Sequence, residues 1–86
     1  MEKNYEEIYR KLLENIGECD TAIDECAEEY LKWEEMVKAS SNPAARSVAE
    51  QMRDNAYYRM TYYISVRSFY TYGKETMVVR NYVNVD

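Results

Sequence analysis

The 86-residue chain contains no histidine, two glycines, one proline and two cysteines. Each scarcity removes a class of protein. Without an imidazole there is no Ser-His or Cys-His nucleophile and no histidine-ligated metal. So few glycines and prolines leave little turn chemistry for a many-stranded β fold. No apolar run approaches the ~20 residues that span a bilayer. The opening residues also lack the basic-then-apolar order of a signal peptide, so the expectation is a soluble, cytoplasmic protein. Cys19 and Cys26 stand seven apart, which on a helix is about 10 Å. That is too far for a disulfide and fits no C-x-x-C spacing; both are expected in the core as small apolar residues.

An apolar share of 47% excludes a disordered polar tail, and the length allows one domain. Charge is unevenly placed. Residues 1–42 carry twelve acids and five bases, whereas residues 43–86 carry four acids and six bases. An acidic half joined to a mildly basic half suggests two elements that attract each other, or an acidic face kept for a basic partner.

The strongest periodic signal runs through Tyr5, Tyr9, Leu12, Ile16, Cys19, Ile23, Cys26, Tyr30, Trp33 and Val37. The spacings alternate four and three without a slip, as in a heptad seam. Asn4 with Glu7 three residues on forms a capping box, and Lys38 suits the negative end of a helix. Gly17 leaves the phase intact, so the pattern predicts one helix over about 4–39. Ser40-Ser41-Asn42-Pro43 then punctuates the chain, with Asn42 as cap and Pro43 at the first helical position. Ala45, Val48, Ala49, Met52, Ala56, Met60, Tyr63, Val66 and Tyr70 share one face of a second helix over about 43–70, with Gly73 in the left-handed position after it.

The fold expected is therefore all-α: an antiparallel helical hairpin over residues 1–73, a coiled coil in its first half, with residues 74–86 as an extended or partly disordered tail. The strand-prone stretch from Tyr62 to Tyr72, with Gly73 as turn and Met77–Val85 as partner, offers an α+β alternative with a hairpin over about 61–85. A long first helix and a shorter second one leave Tyr57, Tyr58, Tyr62, Ile64 and Phe69 uncovered, so a homo-oligomer, a dimer or larger bundle, is expected.

No catalytic pairing emerges. Glu6/Glu7, Glu28/Glu29 and Glu34/Glu35 are sequence neighbours that point in different directions on a helix. No EF-hand spacing or phosphate-cradling glycine loop is present. The expectation is a non-enzymatic protein with no metal and no cofactor, acting as a protein-binding module. Glu28, Glu29 and Glu35 would meet a basic surface, and Tyr30, Trp33, Tyr58 and Tyr62 would serve as ring anchors. Two other readings stand beside it. Arg59 and Arg67 with Tyr63 could hold an anionic nucleotide in an oligomeric sponge, the arginines otherwise pairing with Glu14, Glu18 or Glu25. A structural coiled-coil adaptor would need neither site.

In size, acidity and tyrosine content the chain resembles small phage-encoded counter-defence proteins, among them inhibitors of CRISPR effectors. That likeness rests on composition and transfers no site residues. It implies an inhibitor of a host defence or nucleic-acid-binding protein, working in the host cytoplasm, with no direct nucleic-acid or membrane binding.

Overall fold

The structure is a computed structural model that describes residues 4–84. Asn4 opens α1 (Tyr5–Ala39) by accepting the Glu7 amide N–H at 3.0 Å, while its own side-chain amide donates to the Glu7 carboxylate at 3.3 Å. One of the backbone donors that a helix start leaves orphaned is thereby satisfied, and the Glu7 carboxylate returns to the Asn4 side chain and not to its backbone N–H. α1 passes through Gly17 unbroken, as the uninterrupted phase predicts. Asn42 then caps α2 (Pro43–Val79), its side-chain oxygen accepting from Ala44 at 2.9 Å and Ala45 at 3.3 Å. The result is a two-helix hairpin, with no strand among the described residues.

The pairs that meet across the hairpin define its register. Tyr5 stacks on Tyr82, Leu12 packs at Gly73, and Asp20 binds Arg67. Further along, Glu29 binds Arg59, Tyr30 meets Tyr57, and Glu34 binds Arg53. In every pair the two residue numbers add to between 85 and 88, so the helices run antiparallel in one register along their whole length. The molecule is a rod of 63 × 23 × 17 Å.

α2 differs from the expected helix in two respects. It extends to Val79 instead of ending near residue 70, and Gly73 sits inside it with ordinary helical backbone. The residues turned to α1 follow an unbroken four-three alternation through Ala49, Arg53, Ala56, Met60, Tyr63, Arg67, Tyr70, Lys74 and Met77. Burial of Met77 at the far end holds the last two turns helical despite their valines. Residues 74–79 are thus helix and not tail, and the hairpin of strands over 61–85 does not form; residues 85 and 86 lie outside the described residues. Val48 and Met52, expected in the core, are instead exposed. The same longer helix matches α1 in length, so a short partner is not what leaves rings uncovered.

The left-handed closing residue is Asn81, at φ 59°. Tyr82 donates its N–H to Met77 at 2.9 Å and Asn81 donates to Val78 at 3.0 Å, the paired bonds of a Schellman motif. This turn carries the Tyr82 ring back onto Tyr5, with centroids 4.3 Å apart and planes 7° from parallel. A β-branched residue pays heavily in that conformation. Asn81→Val is expected to cost roughly 1–2 kcal/mol, read as a lower thermal midpoint, whereas Asn81→Gly should hold or raise it.

The core between the helices is thin. Ile16, Cys19, Cys26, Val37, Ala49, Ala56 and Met77 are its buried residues, and Ala56 is wholly enclosed. Both cysteines are free thiols in that seam, as their spacing predicts. Small residues there let two helices approach without a third layer. Tyr9, Leu12, Ile23, Tyr30 and Trp33 are half-buried along its edges.

Candidate binding surface

With the seam occupied, each helix turns its opposite ridge outward, and the two ridges differ in chemistry. On α1 the outward positions, again spaced four and three, are Glu7, Lys11, Glu14, Glu18, Thr21, Glu25, Glu28, Lys32 and Glu35. Thr21 alone is uncharged. On α2 they are Val48, Gln51, Asn55, Tyr58, Tyr62, Ser65, Phe69, Tyr72, Thr76 and Val79. None is charged. Phe69 is 81% exposed, Tyr72 72%, Tyr58 69% and Tyr62 64%.

The absence of charge reaches beyond the ridge itself. From Asn55 to Gly73 the sole charged residues are Arg59 and Arg67, and α1 claims both. Arg59 donates to the Glu29 carboxylate and, through Nε, to Asn55 at 2.9 Å; Arg67 donates to Asp20 at 2.5 Å. The Glu29 contact raises the Arg59 pKa above its ordinary value, against a smaller desolvation penalty. Arg53 is raised chiefly by Asp54, with Glu34 adding to it across the seam. The carboxylates that meet these arginines are Asp20, Glu29 and Glu34, not the expected Glu14, Glu18 and Glu25, because the register brings the former alongside.

The residues expected to bind a partner do not share one face. Glu28 and Glu35 stand on the outer ridge of α1, and Glu29 is spent on Arg59. Tyr30 is half-buried and tilts against Tyr57 at 6.3 Å; Trp33 is half-buried with the Lys32 ammonium 5.6 Å from its ring. Tyr58 meets Tyr57 edge-on at 5.8 Å above a groove shared with Tyr30, Arg53 and Asp54. Tyr62 meets Tyr63 edge-on at 5.4 Å, over a groove of about 190 Å³ lined also by Glu18, Cys19, Val66 and Tyr70. Tyr58 and Tyr62 therefore belong to the outward ring ridge of α2, each beside a groove that also holds one acid, Asp54 and Glu18 respectively.

The anion-site candidates Arg59, Tyr63 and Arg67 follow one another at four-residue steps along α2. Each guanidinium has its own carboxylate, and Tyr63 is half-buried between them. The charged residue lining the groove beside Tyr63 is an acid, Glu18. No family model, curated protein or solved structure matches this chain. Its surface chemistry is what speaks for its role. Among the described residues no three carboxylates or thiols gather to hold a metal, and no helix is long and apolar enough to cross a membrane. Phe69 and Tyr72, the two most exposed rings, were not among the expected anchors. Counting charge along the outward positions would have found them.

Proposed function

We propose that the chain is a non-enzymatic protein-binding module whose binding surface is the outward ring ridge of α2. The observation that carries this reading is the outward ridge of α2, which holds no charged residue and presents four rings more than half exposed. Interface centres are depleted of charge and enriched in tyrosine and phenylalanine, and a continuous apolar patch of this kind marks an interaction site on a folded protein. Tyrosine adds contact area with few torsions to freeze. The acidic ridge of α1 supplies the second element. Glu14, Glu18, Glu25, Glu28 and Glu35 make no ion pair among the described residues. Such a field draws in a partner with a basic rim and speeds the encounter without setting its strength.

The two elements predict different kinetics. Immobilised chain is presented to the protein it captures, and association is followed by interferometry. Phe69→Ala with Tyr72→Ala should weaken binding by about 2 kcal/mol or more, chiefly through faster dissociation. Glu25→Lys, Glu28→Lys and Glu35→Lys together should slow association and flatten its salt dependence. Glu29 is left alone in that variant, since reversing it would break the contact to Arg59. Unchanged dissociation in the ring variant would remove the ridge of α2 from the interface.

A further inference from the structure

We propose that the ring ridge of α2 is the seam of a homodimer, with α2 of a second copy lying parallel along it and in register. The proposal rests on the reading of that ridge as a binding surface and gives it a second copy as occupant, which leaves the acidic ridge of α1 for a partner with a basic rim.

Surface area gives the first reason. A compact monomer of 10.3 kDa exposes about 5,400 Å², and this chain exposes 6788 Å². The surplus of roughly 1,400 Å² exceeds the ~800 Å² per partner of a standard stable interface. Periodicity gives the second. Ten outward positions from Val48 to Val79 keep the four-three alternation, so two such ridges can mesh over about 48 Å. A second α2 is itself charge-free along the same line, which makes the ridge complementary to its own copy.

The flanks fix the direction. Asp54 and Glu75 border the ridge on one side, Arg59 and Arg80 on the other. Across a parallel seam a residue on one flank meets the residue five further on in the opposite flank of the partner. That sets Glu75 beside Arg80 of the partner subunit, while Asp54 and Arg59 are already held within their own chain, by Arg53 and by Glu29. The Glu75–Arg80 contact joins opposite charges and occurs twice. An antiparallel seam would instead bring Asp54 against the partner's Glu75, like charge on like, and leave Arg80 without a carboxylate. Glu75 and Arg80 make no ion pair among the described residues. Asn55, a polar residue on the ridge, is the kind of side chain that pins register in parallel two-stranded packing. In the dimer the acidic ridges of both α1 helices face outward on opposite sides.

Sedimentation equilibrium of the full chain should give twice the 10.3 kDa chain mass. Phe69→Asp should raise the dissociation constant at least about 100-fold without loss of helicity, since Phe69 is almost fully exposed. Glu75→Arg should weaken the dimer, and adding Arg80→Glu should restore it, a rescue that misfolding would not produce. Gln51→Cys should oxidise to a covalent dimer, whereas antiparallel packing would cross-link Gln51→Cys only to Thr76→Cys and would overturn the direction. A wild-type chain that stays monomeric to roughly 100 μM overturns the second copy altogether. A benzoylphenyl group at position 69 then separates the two readings. Cross-linking to a different protein would leave the ridge a binding surface with another partner, and cross-linking to nothing would remove both.

Discussion

Replacing Ala56 with aspartate should abolish the cooperative unfolding transition. Ala56, in the seam between α1 and α2, has no exposed surface. A carboxylate placed there loses its water and gains no donor. Arg53 and Arg59 lie three residues to either side, but each is bound across the seam, to Glu34 and Glu29. Drawing either inward would strand its carboxylate. An unpaired buried charge costs about 3–5 kcal/mol, close to the whole stability of a small domain. Circular dichroism at 222 nm in a urea titration, at fixed protein concentration, reads the loss directly. A midpoint within experimental error of wild type would mean that the seam is not the core.

The second large effect has the opposite sign. Both glycines sit inside helices with helical backbone, and both have room for a side chain. A Cβ at Gly17 meets nothing within 4 Å, and one at Gly73 meets Leu12 at 3.5 Å, an ordinary van der Waals distance. Glycine in a helix interior is worse than alanine by about 1 kcal/mol, mostly through unfolded-chain entropy. Gly17→Ala with Gly73→Ala should therefore stabilise by about 2 kcal/mol and raise the thermal midpoint by roughly 8–16 °C. The sites lie far apart along the rod, so the two gains should add. A midpoint that falls for Gly73→Ala alone would show that Leu12 cannot yield at that contact.

Most of the architecture was legible in the sequence. The seam of α1, both capping asparagines and the continuity through Gly17 follow from spacing and side-chain chemistry. The end of α2 was not, because Arg67 and Lys74 occupy seam positions between Tyr63, Tyr70 and Met77. A search for apolar periodicity loses the stripe where long basic stems take its place, and Gly73 then imitates a helix stop. The tyrosine-dense stretch posed the same problem from the other side. Its residues favour strands, but the seam from Tyr63 to Met77 overrides that preference. The partners of the arginines were hidden because they depend on register, which the length of the turn sets and composition does not. Tyr58 and Tyr62 were visible as exposed rings. Their place on one outward ridge required knowing that the inner seam of α2 passes through Ala56 and Tyr63, which turns Phe69 and Tyr72 to the same outer side.

The stacking of Tyr5 on Tyr82 sets how the rod bears load. Both helices of the hairpin have their free ends at one pole, and the Ser40–Asn42 link closes the other. Tension applied at the two chain ends falls first on that single ring pair and then passes to Leu12 and Gly73, Asp20 and Arg67, and so on in turn. The pairs never share the force, so the hairpin peels open at low force. Shear resistance belongs only to a geometry that pulls one end against the closed pole.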